Sequence, residues 1–244
     1  MTNVTIITGA SRGIGAAAAK LCADAGHAVC VNYQASAEKA EAVVAEIVAA
    51  DGKAIAVQAN TANEADVMRL FDTARAELGA ISGLVNNAGV HGPRGRLDDL
   101  SVAEIEDVLD VNVLGCFLCA REAVKRMSTK HGGQGGAIVN ISSGAATAGG
   151  PNDGILYAAS KGAVNSLTIG LAQEVAGEGI RVNTVAPGLT ETDMPGEKLK
   201  TLGPGLPMGR PGQPIEVAEA IVWLLTDKAS YVSGANLRVG GGKP

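Results

Sequence analysis

Aromatic side chains are almost missing from this 244-residue chain: Phe71, Phe117, Trp223, Tyr33, Tyr157 and Tyr231 are the whole set. A core without rings has to be filled by Ala, Val, Ile and Leu, which suits helices packed closely on a buried parallel sheet. Basic charge is also short. Twenty Lys and Arg against 25 Asp and Glu leave a formal net charge of −5. No basic stripe tracks a phosphate backbone, which excludes nucleic-acid binding as the main role. No run reaches the roughly 20 apolar residues that span a bilayer. Met1-Thr2-Asn3 leads straight into an apolar strand pattern without the regions of a secretory signal, so a cytoplasmic protein is expected. The four cysteines, Cys22, Cys30, Cys116 and Cys119, do not form a disulfide framework. Cys116 and Cys119 make a CxxC, but within an apolar helical run and without a second ligand pair, so packed, reduced thiols are expected. The three histidines, His27, His91 and His131, are far apart, and no metal is expected.

What the chain does have is alternation. Strand patterns at Val4–Ile7, Ala28–Val31, Ala54–Gln58, Gly83–Val85, Gly136–Ile141, Ile180–Val185 and Asn236–Val239 are separated by segments of helical period. Helices are expected over Ile14–Ala25, Ala37–Ala50, Glu64–Leu78, Val102–Met127, Ile155–Ala176 and Pro214–Leu225. Ser101 and Glu104 form a capping box for the fourth, and Pro214 opens the last. This order predicts an α/β fold: one doubly wound, Rossmann-type domain over 1–244, a seven-stranded parallel sheet with helices on both faces. Leu189–Gln213, dense in Gly and Pro, has weak periodicity and follows a strand, where such sheets bind ligands; it reads as a substrate lid.

The first strand–helix junction reads Thr8-Gly9-Ala10-Ser11-Arg12-Gly13-Ile14-Gly15. Glycines there let the backbone turn sharply and approach a pyrophosphate seated on a helix N-terminus. Downstream, Tyr157 and Lys161 stand four apart and share a helix face. A tyrosine hydroxyl, with a pKa near 10, needs a neighbouring ammonium to act as a base at neutral pH, and Lys161 is placed to provide it. Ser142 and Ser143 at the end of the fifth strand are rival choices for a second hydroxyl.

TGASRGIG, Asn86-Asn87-Ala88-Gly89, Asn112, Ile141-Ser142-Ser143, Tyr157-Ala158-Ala159-Ser160-Lys161 and Pro187-Gly188 occur in that order. Together they resemble the short-chain dehydrogenase/reductase family, over essentially the whole chain. The branch they most resemble is that of bacterial 3-ketoacyl reductases and glucose-dehydrogenase-like enzymes. The resemblance implies hydride transfer between nicotinamide and a carbonyl or secondary alcohol. Tyr157 is then the general acid/base, Ser143 orients the oxygen, Lys161 holds the nicotinamide ribose, and Asn112 anchors a water that relays protons to Lys161. Gly9, Ser11, Arg12, Gly13, Ile14, Gly15, Tyr33, Asn60, Thr61, Asn87, Ala88, Gly89, Pro187, Gly188, Thr190 and Thr192 would surround the nucleotide, with Tyr157 and Lys161.

An acidic residue at the end of the second strand would bind ribose hydroxyls and repel a 2′-phosphate. Here the residues are Val31-Asn32-Tyr33-Gln34-Ala35-Ser36, and Arg12 supplies a cation. That pairing resembles the NADP-preferring members, so NADP(H) is expected first and NAD(H) second. Asn60-Thr61 replaces the family's Asp-Val after the third strand; Asn60 is expected to accept from the adenine amino group through its carbonyl oxygen. His91, Arg94 and Arg96 are candidates for contact with a polar or anionic substrate, although a solvated loop is the plainer reading. The resemblance also implies a homotetramer, built on the helices over 102–127 and 155–176 and on the last strand. Two alternatives stay open: a sugar or polyol dehydrogenase using NAD(P), and a regulator that binds NADP without turnover. The four residues Asn112, Ser143, Tyr157 and Lys161 argue against the regulator.

Overall fold

The computed structural model describes residues 3–196 and 198–243. Seven parallel strands lie in the order β3-β2-β1-β4-β5-β6-β7. They are β1 (Val4–Ile7), β2 (Ala28–Tyr33), β3 (Ala54–Gln58), β4 (Ile81–Asn86), β5 (Gly136–Ile141), β6 (Ile180–Pro187) and β7 (Asn236–Val239). The expected architecture is found, with β2, β4 and β6 each running two or more residues further than their apolar cores suggest. The chain order reverses between β1 and β4, and this switch point opens a crevice beyond the strand carboxyl ends.

Two apolar layers flank the sheet. On one face lie α1 (Gly13–Asp24), α2 (Ala37–Ala49) and α9 (Pro214–Leu225), contributing Ala18, Cys22, Val43, Ile47, Ile221 and Leu224. On the other lie α3 (Glu64–Leu78), α5 (Gly115–Met127) and α7 (Ile155–Val175), contributing Leu70, Phe71, Leu118, Met127, Ala172 and Val175. Phe71 is the only aromatic ring fully buried among the described residues; Ala, Val, Ile and Leu do fill the core.

The helix expected over Val102–Met127 is broken. It runs as α4 (Val102–Leu109), a π-helical turn Asp110–Leu114, and α5. The Ser101–Glu104 capping box is present, with Glu104 Oε2 accepting the Ser101 N–H at 2.8 Å. Two short helices lie where none is expected from periodicity, α6 (Ala145–Ala148) and α8 (Lys198–Leu202). The segment over 189–213, expected to be a lid, therefore has structure of its own. It also has a closed stem: Glu191 N–H donates to the Gly212 carbonyl at 2.8 Å, and Gly212 N–H to that of Leu189 at 2.9 Å. Beside the stem, Arg210 grips Glu216 with both guanidinium arms, at 2.8 and 2.6 Å.

Candidate active site

Between β1 and α1 the backbone is bent by glycine. Gly9 and Gly13 hold φ of +61° and +58°, a region that side chains resist. A methyl on Gly9 would sit 2.9 Å from Ala88 Cα. Gly15 is glycine for packing: its Cβ would meet Asn87 Nδ2 at 2.5 Å and the Gly9 carbonyl at 2.7 Å. That same Asn87 amide donates to the carbonyls of Thr8 (2.8 Å) and Gly9 (3.0 Å). Thr8 Oγ1 accepts the amide protons of Asn87 and Ala88, both at 3.0 Å. Asn32 completes the frame. Its Oδ1 accepts the Gly9 N–H at 3.2 Å, and its amide donates to the carbonyls of Val57 (3.3 Å) and Ala59 (3.1 Å). In sequence Asn32 registers only as the absence of a carboxylate; in the fold it ties the turn to β2 and β3.

A cleft of about 710 Å³ runs along the strand ends. Arg12, Tyr33 and Ser36 line one end; Ser143, Tyr157 and Lys161 line the other. Gly9, Ser11, Gly13, Ile14, Thr61, Asn87, Ala88, Gly89, Pro187, Gly188, Thr190 and Thr192 also line it. Three residues expected at the site do not. Gly15 lies behind the turn, as its packing requires. Asn60 lies outside the cleft lining: its Oδ1 accepts the Ala62 N–H at 3.1 Å, which leaves that oxygen a second lone pair, and its own N–H donates to Asp66. Asn112 is buried and lines a smaller cavity instead.

At the Arg12 end, Nη2 donates to Ser36 Oγ at 2.6 Å, and Nη1 lies 3.3 Å from Asp193 Oδ2. Asp193 comes from the lid and went unnoticed in sequence, where nothing local links it to a residue 181 positions away. At the other end, Tyr157 stands on the first turn of α7 and Lys161 on the next. Lys161 Nζ donates to the Ile141 carbonyl at 2.8 Å and lies 5.8 Å from the centre of the Tyr157 ring. Burial pulls its pKa from 10.5 down to about 8. The Tyr157 hydroxyl is hydrogen-bonded to Ser143. Ser142 donates instead to the Lys161 carbonyl at 3.1 Å, which separates the two serines. Among the protein's own groups, burial outweighs the Ser143 hydrogen bond and pushes the Tyr157 pKa above its ordinary value. Lys161, expected to pull it down, makes no contribution to that shift in this structure.

Arg94 pairs with Asp153 at 2.8 Å and Arg96 with Asp98 at 2.9 Å, and neither lines the cleft. His91 does line it, its ring stacked on Tyr157 with centroids 5.0 Å apart and planes at 16°. Asn112 explains how the two are registered. Its amide accepts from Val90 N–H (2.8 Å) and donates to the Val90 carbonyl (2.9 Å) and Ser160 Oγ (2.9 Å). Ser160 in turn donates to the Tyr157 carbonyl at 2.7 Å. The π-helical turn presents this amide, a geometry frequent at functional sites. The cavity that Asn112 lines with Lys161, Cys116 and Thr61 measures about 10 Å³, the scale of one water. The Cys116 thiol beside it is buried and pushed up to about 12.

The model of a family described as enoyl-(acyl carrier protein) reductase matches residues 9–243. An uncharacterised oxidoreductase of Escherichia coli K12, YgfF, is 47% identical over 98% of this chain and 99% of its own. The 3-oxoacyl-[acyl-carrier-protein] reductase FabG of Staphylococcus aureus Mu50 is 39% identical over 99% of this chain and 98% of its own. Among solved structures, a short-chain dehydrogenase from Burkholderia cenocepacia J2315 in complex with NADP superposes with a TM-score of 0.91 at 36% identity, covering 99% of this chain and 97% of that one. A blue fluorescent protein from a metagenomic library, in complex with NADPH, gives 0.90 at 35%, covering 98% and 97%. With six ordered motifs, a seven-stranded doubly wound sheet and matches that run nearly end to end, the chain belongs to the short-chain dehydrogenase/reductase family and is an oxidoreductase.

Proposed function

We propose that the chain is an NADP(H)-dependent reductase/dehydrogenase that interconverts a carbonyl and a secondary alcohol, with Tyr157 as general acid/base. The observation that carries this reading is convergence in one cleft. Ser143, Tyr157 and Lys161 line one end, and a bare-backbone turn with a guanidinium lines the other. The turn suits a dinucleotide: Cβ atoms at Gly9 and Gly13 would press on Ala88 and Thr192, so only glycine keeps this backbone open at the N-terminus of α1. Arg12 suits a further phosphate, which favours NADP(H), with NAD(H) second. The relatives solved with NADP and NADPH support the same choice.

When bound, the nicotinamide supplies or accepts the hydride. The chain's own residues do the rest. Ser143 and Tyr157 hydroxyls both donate to the carbonyl oxygen and fix its position. Tyr157 releases its proton to that oxygen as charge develops there. Lys161 stabilises the phenolate left behind, and Asn112, beside the water-sized cavity, provides the way back for the proton. A phenol held above its ordinary pKa is protonated at neutral pH, the form that reduction needs. Alcohol oxidation needs the phenolate, so its rate rises with pH. The substrate class is a small ketone or acyl thioester, in line with the 3-oxoacyl reductase among the relatives. We further propose a homotetramer in the cytoplasm; no helix among the described residues is long and apolar enough to cross a membrane.

The test is NADPH and NADH oxidation, followed by absorbance, against diketones, ketoacyl thioesters, quinones and aldehydes. NADPH is expected to turn over, and Tyr157→Phe to lower turnover about 10²- to 10⁴-fold while leaving NADPH binding in place. A Tyr157→Phe protein as active as wild type would remove Tyr157 from this role.

A further inference from the structure

Three charged side chains line the cleft besides His91: Arg12 and Lys161, and one carboxylate, Asp193. That carboxylate lies beside neither Tyr157 nor Lys161. It sits on Arg12, the cation at the far end, whose other arm holds Ser36 just before α2. Although the end of β2 carries no acid, the lid therefore delivers one to the same place. The lid is firmly applied here: Thr192 Cγ2 lies 3.2 Å from where a Gly13 Cβ would be, and Thr190 is buried.

We infer that Asp193 sets nucleotide selectivity and reports it to the lid: it competes with a ribose 2′-phosphate for Arg12. The inference rests on the nucleotide site proposed above. The charge bookkeeping makes the competition unequal. A 2′-phosphate brings up to two negative charges and three acceptor oxygens to a guanidinium that Asp193 holds through one contact at 3.3 Å. The partners are 49% and 72% exposed, so the ion pair is weak and easily exchanged. Once Arg12 turns to the phosphate, Asp193 faces a like charge and leaves. A nucleotide without the 2′-phosphate asks nothing of Arg12, and Asp193 stays. The lid is thereby tethered at Arg12 with NAD(H) and released there with NADP(H). Selectivity for NADP(H) is correspondingly smaller than Arg12 alone would give.

Fluorescence titration with NADPH and with NADH reads this directly, on the full chain and without a substrate. Asp193→Asn is expected to tighten NADPH about fivefold, the scale of one exposed ion pair, and to move NADH less than about twofold. The gain should shrink at high salt. It should vanish when Asp193→Asn is made together with Arg12→Gln, because the competition then has no prize. Hydrogen exchange of the amides over 191–196 should be faster with NADP than with NAD at saturation. An Asp193→Asn protein with unchanged NADPH affinity, an equal shift for both nucleotides, or a gain that persists without Arg12 would overturn the inference while leaving the proposed function intact. Failure of wild type to bind either nucleotide would overturn both.

Discussion

Lys161 is the one lysine that the fold buries among the described residues, and the cost has a definite sign. Its folded pKa of about 8 lies below the ordinary 10.5. Below about pH 8 the ammonium is charged in both folded and unfolded chains, and the fold bears the full desolvation penalty. Between 8 and 10.5 the folded chain binds fewer protons than the unfolded one, so stability rises with pH, and above 10.5 the penalty is gone. Lys161→Met is therefore expected to stabilise the protein at pH 7 by about 1–3 kcal/mol, the upper end being set by 1.4 kcal/mol per pH unit. The lower end allows for the Ile141 carbonyl losing its donor. The gain should fade as pH approaches 10, and turnover should collapse at every pH. Urea unfolding at the two pH values measures it; a variant less stable than wild type at pH 7 would show that the Ile141 contact outweighs burial. Tyr157 and Lys161 were legible in sequence because helical period puts residues four apart on one face and the ordered family motifs single out that pair. Ser143 was not separable from Ser142, since two adjacent residues at a strand end differ only in the face they take. The part Asn60 plays in closing a turn was not legible, because a side chain that accepts from the backbone two residues on looks in sequence like any other polar loop residue.

At the scale of elements, the site depends on how firmly α7 and the glycine turn are held. A buried polar ladder bolts α7 to the sheet. Asn86 donates to Asn140 (2.9 Å), Asn140 to Thr168 on α7 (2.9 Å), and Thr184 on β6 to Thr168 (2.8 Å). Asn112 adds the link to the Val90–His91 segment, so the π-helical turn sets the loop that stacks on Tyr157. Asn86 was legible only as part of the Asn86-Asn87-Ala88-Gly89 motif, and its ladder partners Asn140 and Thr168, far away in sequence, gave no signal. The helix over 102–127 was read as continuous because a π turn adds one residue to a turn without disturbing the apolar pattern on either side. The turn itself was legible at Gly9 and Gly13, while the packing role of Gly15 was not, and that role makes a quantitative expectation. Gly15→Ala forces a methyl to within 2.5 Å of Asn87 and 2.7 Å of the Gly9 carbonyl, neither of which is the free end of a flexible chain. A loss of about 1–3 kcal/mol is expected, seen as a lower thermal midpoint, together with weakened NADPH binding. A variant with wild-type affinity would mean that α1 can shift without carrying the turn with it.

Over the whole molecule, a subset of the exposed apolar residues lies on the surfaces that the family resemblance assigns to subunit contact. Leu109, Leu114 and Phe117 are exposed along the α4–α5 stretch and Ile169 on α7, while Tyr231 before β7 is fully exposed. These are the helices and the sheet edge on which the homotetramer was expected from the family resemblance, so sedimentation at micromolar concentration should find a tetramer. Phe117→Asp should break it into smaller species, whereas a wild-type protein that sediments only as a monomer would end this reading. The lid stem has a different consequence. Because Leu189 and Glu191 already meet Gly212 through two backbone hydrogen bonds, the segment between them is anchored like an insert in a frame. Closing a flexible loop on such a stem costs only about 0.6 kcal/mol more for each doubling of its length. Cassettes of other lengths and compositions are therefore expected to be tolerated between Pro195 and Gly212, beyond the cleft-lining Thr192 and Asp193, without re-registering the sheet or moving Tyr157. The frame that holds Tyr157 and the length of this inserted segment are then free to vary independently.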